Sequence, residues 1–223
     1  MKELLSALLS DKKEKTVKMM SVLLYIAVAA IGYLLGSLNF AIIISKLVMK
    51  EDIRNFGSGN AGSTNALRVM GAKKTVFVVL GDIVKTIIAV FVAKAVAGAF
   101  ATIDIDLAVV FASAACVLGH SFPVYFGFRG GKGVLTTASV VACLDWRIFA
   151  IAFPVFILVV AITGYVSLGS IVAAWSLVVL FGIFSTVEYF ILMLCIAAFV
   201  TFLHRENIKR LISGTENKFK FKK

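Results

Sequence analysis

The chain is 223 residues long, 61% of them hydrophobic and only 16% charged, with a mean hydropathy of +1.00. A soluble domain carries charge on about a quarter of its residues, so the composition excludes one. The formal net charge of +11 falls mostly in loops and tail, which points to a cytoplasmic membrane face, lipid headgroups and anionic substrates rather than nucleic acid.

Apolar runs of about 20 residues recur, each long enough to cross a bilayer core of roughly 30 Å. The alternating segments of a β-barrel are absent, so the expected fold is an all-α integral membrane protein. Residues 1–19 lack a small-residue cleavage site after a short apolar region and read as an extension, such as a short surface helix, rather than a signal peptide. Residues 20–204 make up the membrane domain and 205–223 a basic tail. The first span runs from Met20 to Val48, and a polar stretch over 50–74 follows. The second runs from Thr75 to Phe100, and Asp104 and Asp106 mark an acidic turn before the third, which starts at Leu107 and leads into "GHSFPVYFGF". After "RGGKG", Val134–Leu144 is about eleven residues long, too short for an upright span. Arg147–Tyr165, Leu168–Phe184 and Thr186–Leu203 complete seven apolar segments. Cys116, Cys143 and Cys195 are isolated within apolar runs, so neither a disulfide framework nor a metal site is expected.

With seven crossings, the 50–74 loop, the 129–132 loop and the tail share one side. They carry Lys50, Arg54, Arg68, Lys73, Lys74, Arg129, Lys132, Arg205, Lys209, Arg210 and the last four lysines. The opposite loops carry Asp104, Asp106, Asp145 and Glu188, with Arg147 their only basic residue. The positive-inside rule puts the basic loops and the C-terminus in the cytoplasm and the N-terminus outside. The five lysines of the extension run against that assignment.

Three polar motifs therefore converge on one face. "GSGNAGSTN" contains G-x-G-x-x-G at Gly57, Gly59 and Gly62, but a membrane helix precedes it where a dinucleotide site needs a strand. Its glycines can still bring backbone N–H groups to a phosphate. "TNALRVM" can form a short helix with Ser63 or Thr64 as N-cap, Gly71 as its stop and Arg68 within reach of an anion. "FRGGKG" fails as a Walker A loop, because counting back from Gly131-Lys132 lands on Phe126 and Gly133 follows the lysine. Lys132 nevertheless offers a point charge beside glycine amides. In "HRENIKRL", His204 and Asn207 share a face if the helix continues, and His204 is either a base or a hydrogen-bond donor. His120, close to Pro123, reads as structural. Asp82 and Lys85 lie three apart within the second span, where a structural ion pair and direct substrate contact fit equally. A transporter for a phosphorylated metabolite is the rival class. It predicts polar residues along a continuous path, whereas the last three spans carry almost no charge.

"GSGNAGSTNALR", "GHSFPVYFGFRGGKGVLT" and "HRENIKRL…GTE" together resemble the three cytosolic motifs of the bacterial acyl-phosphate:glycerol-3-phosphate acyltransferases, over about residues 20–218. The resemblance implies a seven-helix enzyme of the bacterial plasma membrane with its active site facing the cytoplasm. It would move an acyl group from acyl phosphate to the sn-1 hydroxyl of glycerol-3-phosphate without a cofactor, as a monomer among membrane lipids. It implies a glycerol-3-phosphate pocket at Ser58, Arg68, Lys132, His204 and Asn207, and acyl-phosphate contacts at Thr64 and Asn65. Gly130, Gly131 and Gly133 would supply backbone donors, and Asp82, Lys85 and Glu216 would support the site. The His-x-x-x-x-Asp signature of another acyltransferase family is missing, since Tyr125 and Lys209 stand five residues after the two histidines. No Ser-His-Asp triad is visible, and His204 is assigned to substrate orientation.

Overall fold

The computed structural model describes residues 1–219, and among these every regular element is helical. The lysines at 220, 222 and 223 lie outside the described residues. Helix α1 (Lys2–Gly36) is 35 residues long, and residues 1–19 form no separate element: the helix runs unbroken through them. At 1.5 Å per residue it exceeds the bilayer core by about fifteen residues. The first span does not continue to Val48 as one helix. It breaks at Ser37–Asn39, and α2 (Phe40–Met49) begins anew, with the Asn39 side chain accepting from the Ile42 amide as its cap.

The polar stretch holds a 3₁₀ turn at Ile53–Asn55 and then α3 (Ser63–Met70). The N-cap of α3 is Gly62 in place of the expected Ser63 or Thr64, and Gly71 at φ +77° ends it as expected. Next come α4 (Ala72–Ala99), α5 (Ile105–Ser121), a 3₁₀ turn at Val124–Phe126, and α6 (Val134–Leu144). Helices α7 (Trp146–Thr163), α8 (Val166–Phe184), α9 (Val187–Leu203) and α10 (Arg205–Ile212) complete the chain. Five of these helices are long and apolar enough to span a membrane, or six if α9 and α10, bent by 60°, count as one. Helix α6, with 11 residues, falls short of the roughly 20 an upright span needs.

Close backbone packing holds the first half together. Gly32 and Gly36 stand four apart on α1, and a Cβ on either would strike the carbonyl of Ala112 or Cys116 on α5. The G-x-x-x-G spacing thus lets α1 and α5 approach as larger side chains would forbid. A second apolar cluster, built on Val140, Ile148, Leu177, Phe181 and Met193, joins α6 to α9.

The break after α1 is held by a buried charge. Lys85 of α4 donates to the Gly36 and Leu38 carbonyls at 3.0 and 2.9 Å and pairs with Asp82 at 2.6 Å, both side chains about 1% exposed. The ammonium caps carbonyls that α1 leaves unpaired at its end, and it complements the negative pole of that helix. Of the two roles open to Asp82 and Lys85, these contacts describe the structural one for Lys85. Replacing Lys85 by Met leaves Asp82 as an unpaired buried charge, so Lys85→Met should destabilise the protein by about 3–5 kcal/mol in reversible mixed-micelle unfolding. A loss below about 1 kcal/mol would contradict this role for the ion pair.

Candidate active site

The three motif loops meet at one end of the bundle. Arg54 is bound to Asp52 at 2.8 Å and donates to the carbonyls of Phe126 and Arg129 at 2.7 and 2.9 Å, locking the first glycine loop onto the second. Asn65, 1% exposed, accepts from the Ser58 amide and donates to the Phe56 and Ile53 carbonyls. Its side chain thus shapes the 53–58 loop, a role the sequence does not suggest, while the residue also lines the cavity.

The second loop requires a correction. The Gly130 and Gly131 amides donate to the Ser121 and His120 carbonyls at 3.0 and 3.1 Å, so neither is free for a substrate, and neither residue lines the cavity. Their smallness serves packing. A Cβ on Gly130 would meet the His120 carbonyl, and one on Gly131 the His120 ring. Gly133, at φ +75°, caps α6 and does line the cavity. The first-turn amides of α6 have no acceptor within that helix and present the positive end of its dipole.

Lys132 donates to Asn207 Oδ1, and Asn207 Nδ2 donates to Glu216 at 2.7 Å. The carboxylate only accepts, which fixes the Asn207 amide with its oxygen towards Lys132. Ser167 and Arg210 donate to the same carboxylate at 2.8 and 2.7 Å. Burial alone would raise the pKa of Glu216, but bonds from Asn207, Arg210 and Ser167 outweigh it and hold the carboxyl below its usual range. Burial, reinforced by Arg210 and Arg68 against the attraction of Glu216, lowers the Lys132 pKa to about 8. The tail closes the network, because the Phe219 amide donates to the Gly164 carbonyl at the α7–α8 turn.

His204 sits at the bend between α9 and α10, so it and Asn207 do not share one continuous helix. Its Nδ1 lies 2.8 Å from the Val200 carbonyl, which can only accept, so Nδ1 carries the proton and Nε2 keeps a lone pair. Burial first, then the Lys132 charge, lowers its pKa to about 4.

Ser58, Thr64, Asn65, Arg68, Asp82, Lys132, Gly133, His204, Asn207 and Glu216 all line one cavity of about 550 Å³. Lys85 lies behind the wall. Sequence reasoning missed Ser167, Arg210 and His120. Arg210 was open to discovery, standing three residues after Asn207 on the same short helix. Beyond this cationic recess the cavity continues as an apolar slot between Leu135 and Val141 of α6, Phe149 and Phe153 of α7, and Ala174 and Leu177 of α8. Phe149 and Phe153 stack at 5.4 Å. Arg68, Lys132 and Arg210 suit a phosphate, and the slot suits a fatty chain.

Such a site defines a polytopic membrane protein that handles an anionic headgroup and a lipid chain together. The family model described as glycerol-3-phosphate acyltransferase matches residues 26–214. The chain is 43% identical over 191 residues to the glycerol-3-phosphate acyltransferase of Thermoanaerobacter pseudethanolicus, covering 85% of this chain and 93% of that protein. It is 41% identical over 204 residues to that of Clostridioides difficile, covering 92% and 100%. A crystal structure of PlsY (YgiH), an integral membrane glycerol 3-phosphate acyltransferase in its glycerol 3-phosphate form, superposes with a TM-score of 0.79. Identity there is 38%, over 88% of this chain and 96% of that one. The lysophosphatidic acid form superposes at 0.77 with 36% identity, over 88% and 95%. This chain therefore belongs to the glycerol-3-phosphate acyltransferase family, as a PlsY-type integral membrane acyltransferase.

The Lys132 pKa of about 8 sets a pH dependence for anion binding. The ammonium is present below that value and lost above it, so affinity for inorganic phosphate should fall by about tenfold per pH unit beyond pH 8. Calorimetric titration from pH 6 to 10 checks this, and an affinity constant to pH 10 would contradict it.

Proposed function

We propose that the protein transfers a fatty acyl group from acyl phosphate to the sn-1 hydroxyl of glycerol-3-phosphate. The products are lysophosphatidic acid and inorganic phosphate, at the first step of membrane phospholipid synthesis. One observation carries this reading: a single cavity joins a recess bearing Arg68, Lys132 and Arg210 to an apolar slot between α6, α7 and α8. The acceptor is the substrate for which the relatives are named, and the glycerol 3-phosphate and lysophosphatidic acid forms of PlsY correspond to an acceptor and a product that would fill such a cavity.

Both substrates are anionic, so Arg68, Lys132 and Arg210 lower the repulsion between two phosphates brought side by side. The Ser58 hydroxyl and Asn207 orient the glycerol-3-phosphate. Thr64, in the first turn of α3, faces the donor phosphate, together with the amides at the start of α6. Acyl phosphate is an activated donor with a good leaving group, so positioning and charge stabilisation suffice for the rate. The hydroxyl oxygen adds to the carbonyl carbon, its proton passes to a phosphate oxygen, and the carbon–oxygen bond to the donor phosphate breaks. A His204 pKa of about 4 makes a poor base at neutral pH. Its bare Nε2 instead accepts a hydrogen bond from the acceptor and orients it.

The same reading assigns α1, α4, α5, α6, α7, α8 and α9 as seven crossings, with the N-terminus outside and the site facing the cytoplasm. This order brings the segments after α1, α5, α7 and α9 to one side, in keeping with the contacts among Arg54, Lys132, Gly164 and Asn207.

Purified protein given labelled glycerol-3-phosphate should form lysophosphatidic acid with acyl phosphate and not with acyl-CoA. No product from acyl phosphate would sink the reading. Lys132→Ala and Asn207→Ala should each lower turnover by about 10²-fold or more while the protein still accumulates in the membrane. Wild-type rates in both would show the site to be elsewhere.

A further inference from the structure

His120 closes α5 at the wall of the cavity and is 3% exposed. Its Nδ1 lies 3.0 Å from the Lys85 ammonium. An ammonium can only donate, so Nδ1 accepts and the ring proton sits on Nε2. Asp82 Oδ1 pairs with Lys85 at 2.6 Å, while its 3.6 Å separation from Nδ1 is too long for a hydrogen bond. The tautomer is thereby set by Lys85, which is itself held by two backbone carbonyls. Among the described residues no acceptor meets Nε2. Gly131 packs against that edge of the ring, where a Cβ would strike Nε2. The loop from Gly131 leads directly into α6, whose Leu135 and Ala138 begin the apolar slot. A protonated ring nitrogen with no acceptor among the described residues therefore belongs to a side chain that lines the same cavity as the start of α6.

We propose that His120 is a catalytic residue, whose Nε2–H donates to the carbonyl oxygen of the acyl donor and holds the negative charge that develops there. This rests on the acyl-phosphate reading above. The phosphates already have Arg68, Lys132 and Arg210, whereas the Asp82–Lys85 pair behind His120 is neutral overall and gives a phosphate little additional attraction. A carbonyl oxygen, neutral at first and charged only as the reaction proceeds, matches a neutral donor polarised by the lysine behind it. As the substrate hydroxyl oxygen bonds to the carbonyl carbon, its proton passes to a phosphate oxygen and the carbonyl π pair moves onto the oxygen facing His120. When that pair returns, the bond to the donor phosphate breaks and phosphate leaves with both bonding electrons. His120 gives up no proton.

The test compares His120→Leu, which removes the donor, with His120→Gln, which can offer an amide oxygen to Lys85 and an N–H to the cavity. The Leu variant should lose about 10²–10³-fold in kcat per folded enzyme, with KM for glycerol-3-phosphate unchanged within about twofold. The Gln variant should recover most of that loss. Wild-type kcat in the Leu variant, equal losses in both variants, or an effect confined to KM would each overturn the proposal. Should the Leu variant not fold, wild-type protein carrying ¹⁵N-histidine decides the question. A β-ketophosphonate analogue of acyl phosphate, with methylene replacing the bridging oxygen, should shift the His120 Nε2–H resonance, and an unmoved resonance would overturn the assignment. Wild-type protein that makes no lysophosphatidic acid from acyl phosphate would instead defeat the underlying reading.

Discussion

The architecture turns on one buried ammonium. Lys85 lies within a membrane helix, where an unpaired charge is costly, yet it is met by Asp82 and by two carbonyls at the end of α1. Those carbonyls exist as free acceptors only because α1 stops at Gly36. It can pack its last turns against α5 only because Gly32 and Gly36 let two backbones touch. From this point α2 departs, and Asn39 reaches the Ala61 carbonyl of the first glycine loop at 3.0 Å. One ion pair thus fixes the helix break, the path of the first loop and the His120 ring that the second loop packs on.

Built on that frame, the site solves a problem of mismatched solvents. A phosphate needs cations and open N–H groups, whereas an acyl chain needs a surface as apolar as lipid. Arg54 binds the two glycine loops together, and the Glu216 carboxylate gathers Ser167, Asn207 and Arg210. Lys132 and Arg210, which face the cavity, are held through Asn207 and Glu216 instead of by each other, so like charges can sit together without ligand. The cost is visible at Lys132, whose ammonium is loosened to a pKa of about 8.

How far the sequence alone reaches depends on whether a residue's role is local. Apolar runs place α4 to α9 within a few residues, since length and hydropathy are properties of the segment itself. The break at Ser37–Asn39 is not visible in an apolar run, because its cause is Lys85, about fifty positions away. Likewise Gly130 and Gly131 read as phosphate-binding glycines when taken alone. Only the approach of α5 reveals that their amides serve the Ser121 and His120 carbonyls. Asn65 follows the same rule, its side chain turned to the loop before it. By contrast, Arg68, Lys132 and Asn207 line the cavity as the motifs suggest, because two of them stand on short helices and the third just before one, at the end of the bundle where the three motifs meet.

The central claim is that one cavity holds acyl donor and phosphorylated acceptor together, with no covalent acyl-enzyme between them. Initial rates over a grid of both substrate concentrations test this most directly. Direct transfer within a ternary complex predicts double-reciprocal lines that intersect. Parallel lines, together with a burst of phosphate released before any acceptor is added, would contradict it.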